Sequence, residues 1–158
     1  VPGSPLAAPL AAGPQPAAKV YRIGWLAISP PTSVPTTRSS EAFLQGLRDH
    51  GFVEGQNVII ERRYSEGRED SHTAFVAEFI QMKVDFIVAS SSAAAHAAKQ
   101  ATNMIPIVML AVASPERQGL VVSLGRPGGN VTGTSTQFGG ELSGKMLQLL
   151  KETVPKLS

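Results

Sequence analysis

Strand-length apolar segments alternate with helix-length amphipathic segments along most of this chain, and this alternation limits the fold more than any other feature. Five predicted strands lie at 20–28, 57–64, 84–89, 105–112 and 130–136. Apolar residues at helical spacing occupy the segments 38–50, 69–83, 92–103 and 139–153. Alternating strands and helices are typical of a parallel sheet covered by helices on both faces. We therefore predict an α/β fold with a mainly parallel five-stranded sheet.

The fourth predicted strand and the residues after it carry further predictions. The run IPIVMLAV at 105–112 is uniformly apolar, which is typical of a strand buried on both faces. Residues 119–124 are predicted to form a short helical piece. The sequence GRPGGN that follows is predicted to be a turn rather than a phosphate-binding loop.

Small hydroxyl-bearing residues follow three of the predicted strands. In open parallel sheets, ligands bind beyond the carboxyl ends of the strands, near the point where the strand order reverses. These ends should share one edge of the sheet, where they would form a small, neutral site. The candidate ligand-binding residues are Ser29, Pro30, Ser90, Ser91, Ser92, Ser114 and Pro115.

The serines at 90–92, between a predicted strand and an alanine-rich helix, have two interpretations. Serine is a favoured N-cap, so Ser92 is predicted to cap the helix. A helix N-terminus also exposes unpaired N–H groups and a partial positive charge, which suit an anionic ligand such as a carboxylate. Because the two roles are compatible, we predict that Ser92 caps the helix while Ser91 and the neighbouring N–H groups contact the ligand.

Composition and motifs exclude several classes of function. The chain has no cysteine, which excludes disulfides, thiolate metal sites and cysteine nucleophiles. Its 14 Lys and Arg residues are scattered and the net charge is only +2, so the basic face that nucleic-acid binding needs is missing. His50, His72 and His96 have no partner at metal-ligand spacing. Since no nucleophile elbow or dinucleotide fingerprint is present either, we predict a binding protein without catalytic residues, metal or cofactor.

The first eighteen residues, VPGSPLAAPLAAGPQPAA, contain almost only Ala, Pro, Leu and Gly, and no charge. Such a stretch is similar to the end of a secretory signal, where an apolar region gives way to small residues. A flexible Ala/Pro leader is the alternative interpretation. Both interpretations leave residues 1–18 outside the folded lobe, which we predict to span 19–137.

Three parts of the sequence together resemble a known family. They are VYRIGWL at 20–26, AFLQGLRDHGFVEGQNVIIERRYSEG at 42–67, and AAKQATNMIPIV with GLVVSLGRPGGNVTG at 97–108 and 119–133. These segments are similar to the N-terminal lobe of substrate-binding proteins of ABC importers. Within that family, they resemble the tryptophan/tyrosine-type subfamily, which has the type I periplasmic-binding fold.

The resemblance implies a flavodoxin-like, three-layer lobe that binds a small, amino-acid-like molecule with the loops after strands one, three and four. It also implies a periplasmic location, ABC importer membrane subunits as partners, and a crossover helix at 138–158 that leads to a second lobe. The family commonly has Thr-Pro where this chain has Ser92-Ala93. It commonly has Asp-Pro where this chain has Ser114-Pro115, which removes a charge that could meet an amino group.

The alternative function is a sensory or interaction module of the same fold that dimerises and has no transport role. The last predicted helix has an apolar stripe that should pack on something, formed by Leu142, Met146, Leu149 and Leu150. A monomer could fold this helix back over its own sheet, but the linker Gly139-Gly140 also allows it to swing outward. We therefore predict that this helix packs against a second copy of the chain and gives a homodimer.

Overall fold

The computed structural model describes residues 19–30, 34–68 and 70–136, which contain five β-strands and three α-helices. The strands are β1 (Tyr21–Ala27), β2 (Val58–Tyr64), β3 (Phe86–Ala89), β4 (Ile107–Ala113) and β5 (Val131–Thr136). The helices are α1 (Val34–Asp49), α2 (Ser71–Gln81) and α3 (Ser92–Ala101). This order confirms the predicted alternation. The predicted helix at 139–153 and the leader at 1–18 lie outside the described residues.

The five strands form one sheet in the order β2-β1-β3-β4-β5, and every neighbouring pair is parallel. The register places Leu26 of β1 beside Ala89 of β3, and Ala89 beside Met109 of β4. The chain moves outward from β1 to β2, crosses back to β3, and then continues outward in the other direction. This strand order is the flavodoxin-like one, so the predicted fold class is confirmed.

Helices α2 and α3 cover one face of the sheet. Phe79 and Val76 of α2 are fully buried there against Leu26 and Ile87 of the strands. Helix α3 contributes only small buried side chains, those of Ala94, Ala95 and Ala98. Because alanine adds little bulk, α3 lies close to β3 and β4 and to α2.

Helix α1 covers the opposite face, over β1 and β2. Phe43 packs edge-to-face against Trp25, with ring centroids 5.0 Å apart and an interplanar angle of 72°. Leu44 and Leu47 of the same helix are half-buried in this cluster. The i, i+1, i+4 spacing of these three apolar residues gives α1 a single apolar stripe, as the sequence predicts. No helix in the described part of the chain is long and apolar enough to cross a membrane.

An open groove lies beside α1 on the same face, near the amino ends of the strands. Its volume is about 470 Å³, and its apolar walls include Tyr21, Phe52, Phe86 and Val108. β5, at the edge of the sheet, is exposed over most of its length. Within the described residues, the α1 face is therefore less completely covered than the face of α2 and α3.

Two predictions about the region from β4 to β5 are wrong. β4 is not buried on both faces, because Ala111 and Ala113 are exposed while Ile107, Met109 and Val112 are buried. Among the described residues, no helix covers the α1 face beside β4, so a uniformly apolar strand is partly exposed. The predicted short helix at 119–124 is also absent.

In place of the predicted helix, residues 115–119 form a turn that ends at Gly119, whose φ is +68°. Leu120 and Val121 then insert into the core on the face of α2 and α3. Burial of these two side chains decides the local conformation, since each buried Leu or Val stabilises the fold by about 1.5–3 kcal/mol.

Candidate functional site

The carboxyl ends of β1 and β3 lie side by side at the point where the order of the strands in the sheet reverses. After β1 the chain enters α1 on one face, and after β3 it enters α3 on the other face. In open parallel sheets, the crevice at such a point is where ligands bind. The predicted residues Ser29 and Pro30 follow β1, and the serines at 90–92 follow β3, so the fold brings both groups to this crevice.

Ser90 connects β3 to β1 at the end of their ladder. Its backbone N–H donates to the Leu26 carbonyl at 3.0 Å, and its hydroxyl donates to the same oxygen at 3.2 Å. Both donors of Ser90 are therefore directed at the neighbouring strand. These hydrogen bonds determine the position along the sheet at which the chain leaves β3 and enters α3.

Ser91, not Ser92, is the N-cap of α3. Ser91 has extended backbone angles, φ −153° and ψ 161°, and its Oγ accepts a hydrogen bond from the Ala94 N–H at 3.1 Å. Ser92 is the first helical residue, so the predicted assignment is wrong by one position. The physical reason is that Ser90 is still bonded to β1, which leaves Ser91 as the extended residue before the helix.

Two hydroxyls at this edge remain available. Ser29 and Ser92 are both half-buried, and neither side chain hydrogen-bonds to another described residue. The backbone N–H groups of Ser92 and Ala93, in the first turn of α3, also have no acceptor among the described residues. Pro30 is half-buried beside Ser29. This group of donors suits an acceptor-rich ligand atom such as a carboxylate oxygen.

Ser114 and Pro115 follow β4 in a tight turn. Ser114 has a φ of +44° and is half-buried, and its carbonyl accepts from the Gln118 N–H at 3.2 Å. The Gln118 side chain donates to the Ala113 carbonyl at 2.5 Å, which closes the turn from the other side. Pro115 is buried, and its carbonyl accepts from the Leu120 N–H at 2.9 Å. The turn therefore offers the Ser114 hydroxyl, while Pro115 anchors it in the core.

The shifted pKa values among the described residues lie away from this edge. Asp85, before β3, accepts from the Lys19 ammonium at 2.6 Å and the Arg22 N–H at 2.8 Å, and these bonds lower its pKa. The Arg62 guanidinium binds Glu54 through two nitrogens at 2.5 and 2.8 Å, which lowers the pKa of that carboxyl. These ion pairs lie before β1 and β3 and beside β2, away from the candidate residues after β1, β3 and β4.

Metal binding has no candidate here either, because no group of three or more His, Asp or Glu residues in the described part of the chain could hold an ion.

Two buried polar residues have no counterpart in the sequence predictions. His72 is 2% exposed and Ser65 is 1% exposed. Neither ring nitrogen of His72 nor the hydroxyl of Ser65 has a hydrogen-bond partner among the described residues. His72 is at the start of α2 and Ser65 directly follows β2. The helical spacing of the sequence could have placed His72 on the buried face of α2, since it is four residues before Val76.

Comparison with known proteins identifies the family. A sequence profile described as "ABC transporter substrate binding protein" matches residues 27–158. The chain is also 37% identical over 119 residues to a protein named "Tyrosine-binding protein" from Clostridioides difficile (strain R20291). That alignment covers 75% of this chain and 34% of the relative. The chain belongs to the family of ABC transporter substrate-binding proteins, as the sequence resemblance predicted.

Solved structures agree with this assignment. A conserved domain protein from Vibrio cholerae O1 biovar El Tor superposes with a TM-score of 0.76 at 29% identity, covering 87% of this chain and 45% of the other. An ABC domain from Streptococcus pneumoniae in complex with L-Trp superposes with a TM-score of 0.61 at 28% identity, covering 74% of this chain and 39% of the other. The chain therefore spans less than half the length of these relatives.

Proposed function

We propose that this chain is the N-terminal ligand-binding lobe of an exported ABC import receptor, located in the periplasm, that binds an amino-acid-like carboxylate and catalyses no reaction. Family membership supports the ligand class, as do two relatives, one named as a tyrosine-binding protein and one solved in complex with L-Trp. The lobe spans 19–137, and the segment 138–158 crosses toward a second lobe that contacts the same ligand. The importer's membrane subunits are the partners of the two-lobed receptor.

The main observation behind this proposal is a set of hydrogen-bond donors without a described acceptor, at the point where the strand order reverses. The Ser29 and Ser92 hydroxyls and the first N–H groups of α3 lie at one edge and have no described partner. A carboxylate there would accept several hydrogen bonds and face the positive end of the α3 dipole. Ser114 replaces the acidic residue common in the family, so we expect the ammonium of the ligand to be recognised from the second lobe.

A titration of ¹⁵N-labelled chain with L-tyrosine and L-tryptophan, followed by NMR, tests the proposal. If a two-lobed receptor binds at about 1 μM, one lobe retaining half of that free energy binds near 1 mM. We expect weak, saturable shifts at Ser29, at 90–93 and at Ser114. Ser29→Ala should weaken binding, whereas Ser123→Ala, in the loop after β4, serves as a matched control. Shifts elsewhere would refute the site, and submicromolar affinity would refute the one-lobe interpretation.

The dimerising module is the second candidate, and the open groove beside α1 is the observation that favours it. Tyr21, Phe86 and Val108 leave apolar surface there that a second copy could cover. The two candidates differ in one readout. A dimer that shows no saturable shifts with either amino acid supports the module, whereas saturable ligand shifts support the receptor lobe, whether the chain is a monomer or a dimer.

A further inference from the structure

β4 contains one more residue than β5 over the same length of the ladder. Met109 pairs with Gly133, but the next pair is Val112 with Ser135, so three steps along β4 match two along β5. This irregularity is a β-bulge, which bends the strand and redirects the side chains that follow it. The bulge lies at Leu110 and Ala111, just before the turn of Ser114 and Pro115.

The bulge changes which side chains of β4 face the core. Ile107 and Met109 alternate onto the face of α2 and α3, and a regular strand would place Ala111 there next. The extra residue shifts the alternation of buried and exposed side chains by one position, so Val112 is buried instead and Ala111 is exposed. A one-residue shift moves every following side chain to the other face, and Ser114 comes after the shift.

Two hydroxyls of β5 hold the bulged residue. The Ala111 N–H donates to Oγ1 of Thr134 at 3.0 Å, and Oγ1 of Thr136 donates to the Ala111 carbonyl at 3.2 Å. Ala111 has a φ of +54°, a left-handed conformation that is unfavourable for a residue with a Cβ. Side-chain hydroxyls thus satisfy both polar backbone groups of the strained residue, as main-chain partners would in a regular ladder.

The geometry points to Thr134 and Thr136 as positioning residues for the Ser114 turn. Both threonines hold Ala111 in the bulge. The bulge determines the face on which each later side chain of β4 lies, and therefore where the Ser114 hydroxyl lies at the proposed ligand site. This inference rests on the proposed function only in the assumption that the Ser114 turn contacts the ligand. The hydroxyls themselves need not touch it.

The test compares Thr134→Val/Thr136→Val with Thr134→Ser/Thr136→Ser, which keeps the hydroxyls. Thr132→Val is the matched control, because Thr132 is on the same strand, is exposed, and pairs with Val108 in the regular part of the ladder. Amide exchange at Ala111 and the amide signals of 114–120 are read by NMR in the free chain. Binding of L-tyrosine and L-tryptophan is then measured on the same samples.

We expect the double valine variant to exchange the Ala111 amide about tenfold faster and to shift the signals of 114–120. Its amino-acid affinity should fall by a similar factor, and the serine variant should restore all three readouts. The inference would be overturned if the double valine variant exchanged the Ala111 amide faster but left the signals of 114–120 unchanged. It would also be overturned if Thr132→Val had the same effects as the double valine variant. If the double variant does not fold, the two single valine variants are read in the same way.

Failure of the proposed function gives a different result. If the unmodified chain binds neither amino acid, the receptor proposal fails for these ligands. The positional inference is then decided by the signals of 114–120 alone. Altered signals with unaltered affinity in a chain that does bind would show that the Ser114 turn is not part of the ligand site, and would also overturn the inference.

Discussion

At the scale of single residues, the two serines at the start of α3 differ: one caps the helix, and the other is one that we propose to bind the ligand. Ser91 caps the helix through the Ala94 N–H, whereas the Ser92 hydroxyl has no described partner. Ser91→Ala should lower the free energy of unfolding by about 1 kcal/mol, the usual effect of a lost N-cap. Ser92→Ala should change it by only a few tenths of that, about 0.3 kcal/mol. Urea unfolding of both variants measures the difference, and equal losses would contradict the assignment of the cap.

His72 gives a second prediction at this scale. Its imidazole is buried, and neither nitrogen has a described hydrogen-bond partner. Leaving a polar group buried and unpaired costs about 1–3 kcal/mol, and leucine fills a similar volume without that cost. His72→Leu should therefore raise the melting temperature. His50→Leu is the control, because His50 is exposed at the end of α1. A lower melting temperature for His72→Leu would mean that the imidazole has a polar partner, such as a buried water.

At the scale of elements, the pairing of β4 with β5 depends on a glycine. A Cβ on Gly133 would lie 2.0 Å from the Met109 carbonyl oxygen, and Gly133 has a φ of +135°. Gly133→Ala should destabilise the fold by about 3 kcal/mol or more, because neither strand can move without breaking the ladder. Gly46→Ala on α1 meets no atom within 4 Å and should stabilise by up to about 1 kcal/mol. Thermal unfolding of both variants tests the contrast, and a tolerated Gly133→Ala would contradict the described register.

The amino edge of the sheet gives a pH-dependent prediction. Asp85 accepts from Lys19 and from the Arg22 N–H, and its folded-state pKa is lowered. A carboxyl with a lowered pKa stabilises the fold above its unfolded-state pKa, and that contribution is lost as the pH falls through the folded-state value. Asp85→Asn should therefore cost about 1 kcal/mol near neutral pH, a value reduced by solvent screening.

The difference between Asp85→Asn and the unmodified chain should shrink as the pH drops from about 5 toward 2, since both then carry a neutral side chain. Melting temperatures across this range measure it. Glu41→Gln, on the exposed side of α1, controls for the loss of a surface charge. A difference that stays constant with pH would mean that the carboxylate charge does not stabilise the fold.

At the scale of the whole molecule, the groove beside α1 predicts association. The sequence-predicted helix at 139–153 lies outside the described residues, and we propose that the helix of a second copy covers the groove. Val108 lines the groove, whereas Val122 is 80% exposed and outside it. Light scattering should find a dimer for the unmodified chain and for Val122→Glu, and a monomer for Val108→Glu. A monomeric unmodified chain at high concentration contradicts the proposal, as does a dimeric Val108→Glu variant.

The sequence by itself determined the fold class, because apolar periodicity is a local property that can be read without contacts. The runs around Ile23 and Ile87 have strand length, and Phe43, Leu44 and Leu47 have helical spacing. Parallel pairing followed from the alternation of the two. The candidate site could be placed at one edge for the same reason, since parallel strands end together. The family followed from longer segments of similar sequence.

Only the tertiary structure decided how individual residues act at that edge. The cap falls on Ser91 because Ser90 is still bonded to β1, a contact across 64 positions of the sequence. The bulge at Ala111 could not be predicted from the sequence. Where every residue of a strand is apolar, the sequence does not show which side chains face the core. The bulge depends on hydroxyls more than twenty positions away on β5. Local pattern determines which elements form, whereas register and hydrogen bonding between distant strands determine which side chain lies at the candidate site.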